Sequence, residues 1–192
     1  MPTGVAMRDV RELLFGAAER VLLRDGPEAL TSRAVTTEAG CAKGLLHKHF
    51  TDFDGFLSEL VTDRIGRIHQ RGEVLMSAVG QGTVVDNLTG MLTELFGSVA
   101  VAIVTLTISR DGLRARLRAA VPTGVPILSE AGQVIRDYLT AEQAAGRIPA
   151  SADADVFGLT LIGTAHMMFA DRTGARPAQA DVRTFVASVI PA

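Results

Sequence analysis

The chain has only two lysines, Lys43 and Lys48, and both stand in the short segment Ala42-Lys43-Gly44-Leu45-Leu46-His47-Lys48-His49-Phe50. Two of its four histidines, His47 and His49, fall in the same segment, and no Asp or Glu occurs between Glu38 and Asp52. An ammonium brings three donors and an imidazole one or two. Such groups suit phosphate oxygens, which fix register, and guanine edges, which carry sequence. A charge run taken alone also fits a solvated helix face. The contrast with the rest of the N-terminal part is informative: Arg8, Arg11, Arg20 and Arg24 are interleaved with Asp9, Glu12, Glu19 and Asp25. The patch is therefore local, within a chain whose net charge is only −2.

Other chemistries find less support. One cysteine, Cys41, excludes an intramolecular disulfide framework and fits a reducing compartment. With dispersed histidines it also leaves no usual zinc site. There is no nucleophile–base pair and no phosphate-binding glycine loop, so the reading is not an enzyme, and no cofactor is expected. A helical enzyme, or an interaction protein that has lost nucleic-acid binding, stands as the alternative. The N-terminus lacks an apolar leader, and the most apolar run, Val99 to Ile108, is too short to span a bilayer. A cytoplasmic location without membrane attachment follows as the expectation.

The elements that must position the cationic segment are helices. Val10, Leu13, Leu14, Ala17 and Val21 form one stripe, and the first helix stops at Asp25-Gly26-Pro27. Thr31 stands at the N-cap of a short second helix, which must end at Gly40. A third helix begins about two residues later and runs through Phe50, completing a helix-turn-helix. Thr51-Asp52 starts a long fourth helix carrying Phe53, Phe56, Leu57, Leu60, Val61 and Ile65, with Gly66 and Gly72 as candidate bends. Helices follow at about 83–97, 98–109, 113–120, 127–145, 153–171 and 178–189, with no sustained strand period. The fold class is all-α: a three-helix N-terminal domain over 1–52 and a helical bundle over 53–192, about nine helices in all.

Leu30-Thr31-Ser32-Arg33, then Glu38-Ala39-Gly40-Cys41 and the segment through Phe50, resemble the signature of the tetracycline-repressor (TetR) family of regulators. The resemblance extends back through Ala17-Ala18 and forward to Phe56-Leu57, covering about the first sixty residues. It implies a cytoplasmic homodimer that places each third helix in a major groove of a double-stranded, palindromic operator. A small-molecule effector would release it, and repression is the default. The implied DNA-contacting set is Thr31, Arg33, Ala42, Lys43, Gly44, Leu45, His47, Lys48 and His49. Gly44 lets backbone approach the duplex, and Leu45 can meet a thymine methyl. Three positions depart from the family's usual residues: Ala42 where Ser is usual, His47 where Tyr is usual, and Phe53 where Lys is usual. The first removes a capping hydroxyl; the other two remove phosphate contacts.

The rest of the chain resembles the family only in architecture. Phe157, Leu161, Met167, Phe185, Val186 and Val189, on the last two helices, are the expected dimer interface. A helix apolar on all sides must be buried in a core or an interface. Met76, Met91, Leu92, Leu95, Phe96, Ile103 and Met168 are the expected lining of the effector site, although such residues also fill ordinary cores. Arg110, Arg114, Arg116 and Arg118 form a basic helix suited to an anionic ligand or to solvent. His166, on an apolar helix, reads as a satisfied core histidine.

Overall fold

The structure is a computed structural model describing residues 4–119, 121–171 and 175–190. Its described residues form ten α-helices and no strand, one for each stretch read as helical in the sequence. In chain order the helices are α1 (Gly4–Asp25), α2 (Ser32–Glu38), α3 (Gly44–His49), α4 (Phe53–Ser77) and α5 (Val84–Phe96). They continue with α6 (Ala100–Ser109), α7 (Asp111–Leu117), α8 (Leu128–Ala144), α9 (Ala154–Phe169) and α10 (Gln179–Val189). The expected end of α7 at Ala120 lies outside the described residues. Among them, no single helix is long and apolar enough to cross a membrane.

Two compact units emerge: Met1–Asp63 with Ala102–Thr123, and Arg64–Val101 with Gly124–Ala192. In the first, α1 buries Leu14, Ala17, Ala18, Val21 and Leu22. These follow the i, i+3, i+4, i+7, i+8 pattern of one helix face. Of the expected stripe, Leu14, Ala17 and Val21 are buried, Val10 is half-buried and Leu13 alone departs. Leu13 is 44% exposed, because the face centred on Leu14 turns it outward. Gly26, at φ 89°, ends α1, and Pro27 opens a 3-10 turn through Ala29. Leu30, Val35 and Leu46 complete the core of this unit, all but closed to solvent.

In the second unit α8 packs on α9, and α10 packs on α5 and α9. The turn from α4 to α5 passes through Gly80 and Gly82, both at positive φ. A polar network pins it. Asn87 donates to the Tyr138 hydroxyl at 2.9 Å, and that hydroxyl donates to Glu142 at 2.6 Å. The Glu142 carboxylate, wholly buried, also accepts from Gly80 N–H at 3.3 Å and pairs with Arg147 at 3.3 Å. Arg147 reaches on to the carbonyl of Gly82. Burial first, and then the bond to Glu142, push the Tyr138 hydroxyl up to about 12, so it remains a donor across the working pH range.

The two glycines expected to bend α4 do not break it; the helix is continuous from Phe53 to Ser77. Gly72 has a packing role. A Cβ there would stand 2.9 Å from a Val134 methyl on α8, so the missing side chain lets the two helices approach.

Candidate nucleic-acid interface

The turn between α2 and α3 is built almost wholly from backbone bonds. Gly40, at φ 65°, donates to Thr37 O at 3.1 Å, and Cys41 donates to Thr36 O at 3.0 Å. This paired arrangement closes a helix C-terminus through a left-handed residue, which glycine adopts without a Cβ penalty. At the other end of α2, the Thr31 hydroxyl accepts from Ala34 N–H at 3.1 Å, the N-cap expected from the sequence. Glu38 ties α2 to α1: it accepts from Arg20 at 2.7 Å and from Arg24 at 2.8 Å. Those guanidiniums, Arg20 foremost, hold its carboxyl below the usual carboxylate range.

Helix α3 is anchored on one side and open on the other. Leu46 and Phe50 are buried, whereas Ala42, Lys43, Gly44, His47 and Lys48 are exposed. Leu45 and His49 sit half-buried between the two faces. Positions 43, 44, 47 and 48 share one helix face by their spacing. Nothing lies within 4 Å of where a Gly44 Cβ would be, so that face is open. Thr31 and Arg33, on α2, are exposed as well. Neither Lys43 nor Lys48 makes an ion pair among the described residues, so both charges are free for another partner.

Phe50 is held by an aromatic cluster. Its ring stands edge-on to Phe56 at 5.0 Å and 6.0 Å from Phe15, and the Arg11 guanidinium lies over it at 4.9 Å. Phe53 stacks on Phe56 at 5.8 Å. The start of α4 is fixed next to this cluster. Asp52 accepts from Gly55 N–H at 2.7 Å, and Asp54 pairs with Arg110 at 2.7 Å. Arg110 also lies over the Phe53 ring at 5.5 Å. The end of the third helix thus rests on Phe56 and, through Phe53, on Arg110 at the head of α7.

Residues 14–60 match the family model described as bacterial regulatory proteins, tetR family, which spans this helix-turn-helix and its supports. Over these residues the chain is similar to the DNA-binding head of that family. The whole fold is similar to that of a TetR-family transcriptional regulator from Agrobacterium tumefaciens, at 14% identity and TM-score 0.74, covering 96% of this chain and 100% of that one. It is similar to reduced NemR of E. coli at 14% identity and TM-score 0.75, covering 95% and 98% of the two chains. It is also similar to FadR of Bacillus subtilis in complex with stearoyl-CoA, at 20% identity and TM-score 0.65, covering 93% and 94%. None of the curated proteins matches the chain.

The head departs from an ideal one at the start of α3, where no side chain caps the helix. Leu45 N–H reaches Ala42 O at 2.9 Å, so Ala42 stands at the point where a hydroxyl would help. Ala42→Ser is expected to stabilise the chain by about 0.5–1 kcal/mol, since the reverse change at helix N-caps costs about 0.5–2 kcal/mol. Thermal unfolding of the two chains checks this; an unchanged or lower midpoint would show that the first turn of α3 needs no cap.

Of the residues assigned to an effector site, Leu92, Leu95, Phe96 and Ile103 are buried, Met168 is half-buried and Met76 is 40% exposed. Ile103 belongs to the first unit and the other six to the second. Met91 lines a cavity of about 400 Å³ between α4 and α5 with Arg71, Val74, Leu75, Asn87 and Glu94. Of the residues assigned to a dimer interface, Leu161 and Val186 are buried within the second unit. Phe157, Phe185 and Val189 are half-buried there, and only Met167 is fully open. Helix α10 packs on α5, and Arg183 pairs with Asp86 at 2.7 Å. The exposed apolar residues of α9 are Val156, Leu159 and Met167, at 54%, 76% and 76%. Sequence reasoning missed the first two, although 156, 159, 163 and 167 share a helical face.

His166 is the other correction. Its Nε2 and the Thr93 hydroxyl are buried without a hydrogen-bond partner among the described residues, so it is not a satisfied core histidine. Burial pushes its pKa down from the usual histidine value. The unfolded chain therefore binds a proton at higher pH than the folded chain does. Stability is unaffected above about pH 6.5, the ordinary histidine value, and declines as pH falls below it toward the folded-state pKa. Against a His166→Gln chain, the parent should lose midpoint faster between neutral pH and about pH 5. A constant difference across that range would refute the assignment.

Proposed function

We propose that the chain is a homodimeric transcriptional repressor that sets α3 in successive major grooves of a palindromic operator and is released by a small-molecule effector. The observation that carries the reading is the division of α3. Leu46 and Phe50 are locked into the head, while Lys43, Gly44, His47 and Lys48 form an open face with two free ammonium groups. Thr31, Arg33 and His49 flank that face as backbone contacts, and Ala42 and Leu45 offer small apolar surface to bases. Phosphate contacts position such a helix and base edges give it sequence.

Dimerisation is supported by the α9 face carrying Val156, Leu159 and Met167, beside a groove on α8 and α9 that includes Gly132 and Gly163. An apolar stripe this exposed suits an isologous contact with its own copy, the commonest two-fold solution. The effector reading is supported by the orphaned His166 Nε2 and Thr93 hydroxyl. Thr93 lies one turn before Phe96, whose ring meets His166 at 6.0 Å and stacks on Phe169 at 6.1 Å. A largely apolar molecule with one hydrogen-bonding group would satisfy that surrounding. The FadR relative, solved with stearoyl-CoA, is a protein of similar fold that takes an acyl-bearing ligand.

Selection of bound DNA from a random pool tests the reading. A palindromic enrichment, with half-site centres about one helical turn apart or a multiple of it, is expected of a two-fold dimer. Enrichment of a single asymmetric site would remove the dimer, and no enrichment would remove DNA binding. An acyl or aromatic compound that raises the thermal midpoint of the chain and lowers its affinity for the selected DNA would identify the effector class.

A further inference from the structure

Of the four arginines between Arg110 and Arg118, three have partners within the first unit. Arg114 pairs with Asp111 on its own helix, and Arg110 is held by Asp54 and the Phe53 ring. Arg116 is different in its placement. It donates to Asp52 at 2.5 Å, reaching from α7 to the joint between α3 and α4. Asp52 stands three residues beyond His49 and already accepts from Gly55 N–H. A guanidinium carries five N–H donors, and Asp52 occupies one of those on Arg116. The side chain is 44% exposed, so donors remain directed to solvent next to exposed Thr51.

We propose that Arg116 is a DNA-contacting residue supplied from outside the helix-turn-helix, bridging Asp52 and a backbone phosphate of the duplex that α3 enters. The proposal rests on the DNA-binding reading above and adds a residue to it. Its physical basis is the charge at that joint. Asp52 and Asp54 put two carboxylates where the chain leaves α3, and Phe53 between them offers no cation. Arg110 already answers Asp54, and Asp52 left alone would repel a phosphate backbone. A planar guanidinium pairs with a carboxylate on one edge and can take a phosphate on another. Because α7 belongs to the same compact unit as α1, α2 and α3, the contact does not require the two units to hold any fixed arrangement.

The test uses the full chain and DNA that the parent has selected from a random pool, with affinity measured against salt. Arg116→Gln should weaken binding and make the plot of log affinity against log salt shallower by about 0.9 for each phosphate no longer neutralised, one per subunit. Arg116→Lys should keep most of the slope. The deciding chain is D52N/R116Q, in which the side-chain oxygen at position 52 can still cap α4 and the net charge matches the parent. A slope that stays shallow in this chain supports a phosphate contact. A slope restored to the parent value means that Arg116 only cancels Asp52, and overturns the proposal. An unchanged slope in Arg116→Gln, with its thermal midpoint retained, overturns it too. Failure of the parent to select any DNA would instead remove the reading on which the proposal stands.

Discussion

A chain carrying K43A and K48A together will fold as its parent does and lose binding to the DNA its parent selects. Both side chains are exposed and neither is ion-paired among the described residues, so their removal should move stability by no more than about 0.5 kcal/mol. The loss falls on the complex. Each lysine that touches a phosphate contributes about one unit of salt slope, and one reading a base contributes about 1–3 kcal/mol of discrimination. In the proposed two-fold dimer every such loss is doubled. The single variants separate the roles. Lys43, at the start of α3, should relax sequence preference when removed, whereas removing Lys48 should weaken all sites evenly. Equal affinity in parent and double variant, measured at one salt concentration, would show that α3 is not the reading element.

Arg147→Met should destabilise the second unit by about 3–5 kcal/mol, the usual cost of leaving one member of a buried ion pair behind. The reason lies in Glu142, which is fully buried and whose cationic partner is Arg147. Tyr138 and Gly80 N–H would remain as its donors, but neither carries charge. Methionine preserves much of the side-chain volume, so the loss reflects the missing charge together with the bond to the Gly82 carbonyl. The double variant E142Q/R147M should recover a large part of it, because an amide can be buried at far lower cost than a carboxylate. Urea unfolding of the three chains measures both effects. A single variant within about 1 kcal/mol of the parent would mean that water reaches Glu142, contrary to its burial.

The features legible in the sequence were those with local chemistry. Asp25-Gly26-Pro27, the Thr31 cap and the Gly40 turn each act through residues within a few positions, and each stands where the pattern put it. The open face of α3 was legible for the same reason. What escaped needed partners far along the chain. Glu142 on a helix reads as solvent-facing, and only Gly80, 62 residues away, and the Arg147 loop reveal it as buried. The arginines from Arg110 to Arg118 read as a ligand site or a solvated face until Asp54 and Asp52, 56 and 64 residues away, claim two of them. Helix α9 hid its exposed face for a different reason. A segment apolar on every side has no polar face to show which residues point outward, so Leu161 and Leu159 could not be told apart.

Gly72 constrains the order in which this sequence can change. A helix-interior glycine gives up roughly 1 kcal/mol against alanine, so Gly72→Ala ought to be among the easiest substitutions for drift to adopt. The methyl groups of Val134 close that route, since a stiff β-branched side chain has little freedom to withdraw. A smaller residue at 134 must come first, and once alanine occupies 72, the return of valine is barred in turn. The pair therefore behaves as a ratchet in sequence space. In a library randomised at both positions, larger residues at 72 should be recovered almost only with smaller ones at 134.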